Sequence, residues 1–187
     1  MKQKVALVLS GGGARGLAHI GAIEELEKNN FEITSIAGTS MGSVIGAVYA
    51  LGKMEEFKQW MYTLDRLKVF RLIDFTFSNN GLIKADRVLK KMQEFIEDKK
   101  IEDLDIPYAA VATDLTKGEE LVFTQGSVFK AIRSSIAIPT VVTPVKSQDR
   151  LIVDGGVLNN IPCSRVKRTE GDIMVVINVN STIPPET

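Results

Sequence analysis

The sequence predicts an α/β fold in which a mostly parallel sheet is covered by helices. Three observations carry that reading. The apolar run at residues 5–9 leads through Gly11-Gly12-Gly13-Ala14-Arg15-Gly16 into a helical pattern, and a second run at 33–37 leads through Gly38-Thr39-Ser40-Met41-Gly42 into another. After a charged, amphipathic middle, strand-like runs return from Tyr108 onward. A β-α-β-α alternation favours parallel strands whose functional loops lie at their carboxyl ends, and both glycine-bearing stretches fall there.

Taken in order, residues 5–9 read as a buried strand. With Met1-Lys2-Gln3-Lys4 they faintly imitate a secretory leader, but the apolar run is too short and Arg15 interrupts its continuation. Residues 17–28 form the first helix. Residues 33–52 hold no charged side chain, a length that suits a membrane span, yet the Gly-Thr-Ser-Met-Gly-Ser core divides them into strand, turn and buried helix. That helix, at 43–51, carries Gly46, Ala47 and Ala50 for close packing. Phe57, Trp60, Met61 and Leu64 mark one amphipathic helix, and Val88, Leu89, Met92, Phe95 and Ile96 another. Between them, Phe70, Leu72, Ile73, Phe75 and Phe77 precede the turn signal Ser78-Asn79-Asn80-Gly81; the cluster reads as secondary core or as a lid or lipid-facing lip. Strands are expected at 108–113, 120–124, 140–146, 150–153 and 172–179, and helices at 127–135 and near 163–167. Residues 1–187 are expected to form one domain, with 53–105 a helical, lid-like insertion.

The chain's bulk properties narrow the function classes. At 187 residues, 44% hydrophobic and 25% charged, it has the material for one soluble domain with a real core. Lys plus Arg (23) balance Asp plus Glu (23), so overall charge points neither to nucleic acid nor to an acidic tail. One cysteine excludes an internal disulfide, and one Cys with one His cannot furnish a Cys/His zinc site. A reducing compartment is expected.

Ser40 is the first candidate nucleophile. It stands at the apex of a G-x-S-x-G turn between strand and helix, where Gly38 and Gly42 leave room for strained angles and for an approaching carbonyl. The glycine loop follows a strand and opens a helix, so its amides point at whatever occupies it. Gly11, Gly13 and Gly16 fit a dinucleotide fingerprint, but the acidic residue expected about 20 positions on is replaced by Gly38-Thr39-Ser40. Leu17 and Ala18 stand where a P-loop needs Lys and Ser or Thr. Beside Ser40 the loop reads better as an oxyanion hole, with amides of roughly Gly12, Gly13 and Ala14 aimed at the developing charge. Arg15 reads either as a surface residue or as a charge for a phosphate head group.

A Ser-His-Asp triad would need a histidine near the C-terminus, and there is none. His19 lies on an apolar helix face with Ile20 and Ile23 and reads as a packing residue. An aspartate must therefore be considered directly as the base. Asp154 ends an apolar strand and is followed by Gly155 and Gly156, which makes it the best candidate; its ordinary weak basicity requires desolvation and orienting hydrogen bonds. Asp114, before Thr116-Lys117-Gly118-Glu119, reads as a turn residue. Asp103 and Asp105 read as solvated, and Cys163 as a small buried hydrophobe.

With these motifs in hand, the chain resembles the patatin-like phospholipase family. Gly11 to Gly16 resembles its glycine-rich oxyanion block, Gly38-Thr39-Ser40-Met41-Gly42 its elbow and Asp154-Gly155-Gly156 its Asp-Gly-Gly motif, all in family order. Ser134-Ser135-Ile136-Ala137-Ile138-Pro139 and Ala112-Thr113-Asp114-Leu115 extend the likeness over roughly residues 5 to 180. The resemblance implies a three-layer α/β/α sandwich, a Ser40–Asp154 dyad, and hydrolysis of lipid acyl esters without metal or other cofactor. A cytoplasmic protein with transient contact at a membrane surface is expected, with an acyl lipid as partner and no nucleic acid. Two other functions fit the same motifs: a non-catalytic module binding anionic lipid or nucleotide phosphate at the glycine loop, and acyl transfer from the same acyl-serine to an alcohol. The chain stops at Pro184-Pro185-Glu186-Thr187 where bacterial members usually carry more helical sequence, so it reads as truncated or minimal, with a wider site or exposed apolar surface in consequence.

Overall fold

A computed structural model describes residues 2–63 and 85–181. The aromatic cluster from Phe70 to Phe77 and the final Pro184-Pro185-Glu186-Thr187 lie outside the described residues.

The first four elements follow the predicted alternation: β1 (Gln3–Leu9), α1 (Ala18–Lys28), β2 (Phe31–Thr39) and α2 (Met41–Ala50). The glycine loop between β1 and α1 closes as a 3-10 turn at Gly13–Leu17, so the α-helix starts one residue later than its pattern suggests. Helices α3 (Met54–Thr63) and α4 (Ala85–Gln93) follow, then β3 (Tyr108–Asp114), β4 (Glu119–Phe123), α5 (Val128–Ser135), β5 (Val145–Ser147), β6 (Arg150–Asp154) and β7 (Ile173–Ile177). Val5 to Leu9 and every residue of β3 are buried, as strands covered on both faces must be. Met41 through Val48 of α2 are buried too, which accounts for the uncharged run without a membrane.

Three expected elements are shorter than predicted. The strand at 140–146 is reduced to β5, because Pro139 and Pro144 lack an N–H for a ladder and Thr140 takes a φ of 68° in a turn closed by Val142 N–H on Ile138 C=O. The helix near 163–167 is a single 3-10 turn at Cys163–Arg165, entered through Pro162. The last strand likewise keeps only its apolar centre, Ile173–Ile177.

The sheet runs β5-β6-β3-β2-β1-β7, with β4 also on β3. Strands β7, β1, β2 and β3 are mutually parallel; β4 and β6 lie antiparallel to β3, and β5 antiparallel to β6. One edge of β3 is occupied by β4 from Ala110 to Asp114. Its other edge is shared. β2 pairs with it as far as Thr39↔Val111, and β6 takes over at Asp154↔Ala112. One partner is parallel and the other antiparallel, so β2 and β6 run toward each other and both end where they meet.

Side chains alternate across this sheet. Val5, Leu7, Leu9, Ile36 and Tyr108 face the larger core with Ile23 of α1, Val44 and Ile45 of α2, Phe57 of α3, Leu89 of α4 and Ile132 of α5. Ala6, Val8, Ala37 and Ala109 face a smaller cluster under Val166, with Val122, Ile161 and Cys163 against it. Small residues on that side let the returning chain lie close to the strands.

The turn from β2 into α2 is tightly packed. A Cβ on Gly42 would stand 2.6 Å from Ser10 O and 2.7 Å from Leu9 C, and one on Gly38 would stand 2.6 Å from Ser43 N. These are backbone atoms that cannot turn aside, so the two glycines serve the close approach of strand and helix. Gly42→Ala is expected to destabilise the protein by about 1–3 kcal/mol, read as a lowered midpoint in urea or thermal unfolding.

Candidate active site

Ser40 occupies the one position between β2 and α2, with φ 53° and ψ −125°. This left-handed conformation costs a non-glycine residue on the order of 1–3 kcal/mol and persists only where the surroundings impose it. The constraints are on both sides. Its N–H donates to Ser135 Oγ at 2.9 Å, and that hydroxyl donates in turn to Val111 C=O at 2.6 Å, so a fully buried serine at the end of α5 ties the elbow to β3. The Ser40 carbonyl starts α2, accepting from Ser43 N–H, Val44 N–H and Ser43 Oγ. Although Ser40 is the N-cap, its hydroxyl caps nothing. That leaves Oγ free, 6% of the residue exposed, at the positive end of a helix.

Asp154 reaches the same point from β6. Its N–H donates to Ala137 C=O at 2.9 Å, and its Oδ1 accepts from Gly156 N–H at 2.7 Å as the chain enters the 3-10 turn Gly155–Val157. Gly155 sits against the Val111 carbonyl, where a Cβ would meet the β3 backbone. Burial pushes the Asp154 carboxyl above its ordinary range, opposed by the Ser40 hydroxyl and then by Gly156 N–H. Oδ2 is buried with no hydrogen-bond partner among the described residues. The Ser40 hydroxyl thus faces the carboxyl closely enough to favour its charge, without a hydrogen bond of normal geometry. Such pairs are often loose before substrate binds.

The glycine loop completes the wall. Gly11 lies beside Ser40, where a Cβ on the glycine would stand 3.2 Å from Ser40 Cβ, and its N–H donates to Asn160 C=O at 3.1 Å. Val179 N–H donates to Ser10 Oγ, and the Asn180 side-chain amide to Gly11 C=O, so the segment after β7 holds the loop from the other side. Gly13 has φ 55° with open space where a side chain would be, a conformation that glycine adopts freely. Among the described residues, the N–H groups of Gly12, Gly13 and Ala14 have no acceptor. Gly16 packs on Met41 next to Ser40, while Arg15 is exposed.

His19 is fully buried, and its Nε2 lies 2.8 Å from Ser10 C=O, at the root of the glycine loop. Burial lowers its pKa, with the Ser10 contact opposing. It props the loop from beneath. Asp114 Oδ1 accepts from Thr116 and Lys117 N–H, the turn expected there, and Asp103 and Asp105 are exposed. Among the described residues, no group of three or more His, Cys, Asp or Glu is gathered as for a metal ion, and no helix is long and apolar enough to cross a membrane.

Several supporting residues escaped sequence reasoning. Thr39 Oγ1 donates to Asn159 C=O at 2.8 Å, joining the strand before Ser40 to the loop after Asp154. The Asn159 side chain donates to Glu120, which also accepts from Arg165. Asn160 links that loop to Gly11. The pair Asn159-Asn160 after Asp-Gly-Gly is a visible turn signal, but its partners lie far along the chain.

The patatin-like phospholipase family model matches residues 7–166, which include the glycine loop, elbow and Asp-Gly-Gly stretch. The chain belongs to the patatin-like phospholipase family. Among its relatives, an uncharacterized NTE family protein of Mycobacterium bovis is 40% identical over 96% of this chain and 50% of its own length. The patatin-like phospholipase domain-containing protein 6 of Mus musculus is 30% identical over 95% of this chain and 14% of its own length. This patatin-like chain therefore spans about half the length of the first of these relatives and much less of the second. In fold it is similar to VipD from Legionella pneumophila, with a TM-score of 0.60 at 17% identity over 94% of this chain and 49% of that one. The shared architecture is a central sheet flanked by helices.

Proposed function

We propose that this patatin-like chain is a serine hydrolase of lipid acyl esters, in which Ser40 is the nucleophile and Asp154 the only base. The observation that carries the reading is the meeting of β2 and β6 along one edge of β3, which brings a strained serine and a buried aspartate together while the sole histidine is bound to Ser10 C=O. Asp154 takes the hydroxyl proton as Ser40 Oγ bonds to the ester carbonyl carbon. The carbonyl oxygen becomes an oxyanion, for which the open N–H groups of Gly12, Gly13 and Ala14 are the donors. Collapse breaks the ester C–O bond, and the leaving alcohol takes the proton from Asp154. Water then attacks the acyl-serine and gives its proton to Asp154; collapse breaks the acyl–Oγ bond, Asp154 returns the proton to Ser40 Oγ, and the acid departs.

The direct test is covalent. A fluorophosphonate probe should label the wild-type protein once, at Ser40, as read by peptide mass spectrometry, and prior labelling should remove the burst of chromogenic ester hydrolysis. Labelling at another residue with Ser40 untouched would overturn the assignment.

A further inference from the structure

A groove of about 570 Å³ runs between α4, α5, β4 and the β5–β6 hairpin. None of the proposed catalytic groups lines it, although Ser134 and Ile152 do, close in sequence to Ser135 and Asp154. Its floor is apolar, made by Leu89, Phe123, Phe129, Val145 and Ile152. Exposed Lys90, Lys130 and Lys146 stand at its lip, with Arg133 also in the lining.

The two acidic residues of the lining are already engaged. Asp86 pairs with Arg133 Nε at 2.6 Å, and Asp98 accepts from the Ser127 hydroxyl at 2.6 Å and from Phe129 N–H at the start of α5. Lys90, Lys130 and Lys146 are exposed and have no ion pair among the described residues. Arg133 is mostly buried, with 16% of its side chain exposed, and its Nη1 has no acceptor among the described residues. The groove thus joins an apolar floor to unneutralised positive charge at the lip and a donor in want of an oxygen.

We infer that this groove seats an anionic lipid of a bilayer, with an acyl chain on the half-buried Phe123 and Val145 and the head group among Lys90, Lys130 and Lys146. A free phosphate would leave the apolar floor in water, and a zwitterionic lipid would gain little from the three lysines. An anionic lipid satisfies both halves at once. Cations at a membrane surface each add attraction to an acidic leaflet, which three of them multiply. The inference deepens the hydrolase reading, on which it rests for its purpose, by naming the class of surface at which the dyad works.

The experiment is vesicle sedimentation of the wild-type chain and of the triple variant Lys90→Glu/Lys130→Glu/Lys146→Glu, with thermal unfolding of both as the check on folding. Wild type should bind phosphatidylglycerol-containing vesicles more tightly than pure phosphatidylcholine vesicles, on the order of 100-fold for three lysines at low salt. That preference should shrink as salt rises and vanish in the triple variant. A Lys→Gln version of the same triple variant should fall between the two, which keeps the test decisive if charge reversal harms folding. Equal binding to both vesicle types, an undiminished preference in a folded variant, or full displacement by inorganic phosphate or an acidic peptide would overturn the inference. Fluorophosphonate labelling of the wild type in lipid-free solution reports separately on the hydrolase reading: vesicle preference without labelling at Ser40 sinks that reading and leaves this one standing.

Discussion

Replacing Ser40 by alanine is expected to abolish ester turnover, lowering kcat on the order of 10⁴- to 10⁶-fold while the protein still folds. The large effect follows from covalent chemistry, because no other side chain of the described site stands where Oγ does. Background hydrolysis from the glycine-loop donors would set the floor. The backbone makes a second, sharper expectation. Ser40 holds φ 53°, and alanine inherits that strain, whereas glycine does not. Ser40→Gly should therefore be as inactive as Ser40→Ala and more stable than it by about 1 kcal/mol. Chemical denaturation of the three proteins checks the order. A Ser40→Ala protein retaining wild-type turnover would remove Ser40 from the mechanism.

Asp154→Asn should reduce acylation by about 10²- to 10⁴-fold, the usual worth of a positioned general base. It tests more than a rate. Burial raises the Asp154 pKa, against the smaller pull of the Ser40 hydroxyl and Gly156 N–H, so the base is ionised only above a point displaced upward from 3.8. Wild-type kcat/KM should accordingly climb with pH along an acid limb displaced in the same direction. The linkage has a definite sign. The folded state holds the Asp154 proton more tightly than the unfolded state, so its stabilising effect is full below the unfolded pKa and is lost as pH rises through the folded one. Asparagine never carries the buried charge. The variant should then be inactive yet more stable than wild type at neutral pH, with the advantage fading toward pH 4, as read by thermal melts across that range. Wild-type acylation in the variant would transfer the base role elsewhere, and identical melts at every pH would contradict a buried, ionising carboxylate.

Much of this arrangement is legible in the sequence, and for a physical reason. Strand, glycine turn and buried helix leave local marks, so β1, β2 and α2 and the motifs at their ends can be read from spacing and side-chain size. Asp154 is reachable by elimination, because only one histidine exists and it sits on an apolar helix face. Other features are hidden. Ser135 holds the elbow through a hydrogen bond between distant segments, and nothing in its own neighbourhood marks it as different from Ser134. Gly38 and Gly42 serve close backbone packing, a need the sequence does not separate from room for a substrate carbonyl, since both ask for the same residue. The strand expected at 140–146 is cut short because β-branched Thr140, Val141, Val142 and Thr143 suggest extension, while Pro139 and Pro144 decide hydrogen bonding.

The collision of β2 and β6 on a shared edge of β3 has a consequence in time. The Ser40 turn lies between β2 and α2, far ahead along this chain of Ser135, which accepts its N–H, and of Asp154. The base arrives only after β3 has been laid down and the chain has come back to finish its free edge. Contacts this far apart in sequence are among the slowest to close. Under the proposed mechanism a nascent or half-folded chain carries a serine without a partner, and so cannot attack the membranes around it. Competence arrives when β6 closes the remaining edge of β3.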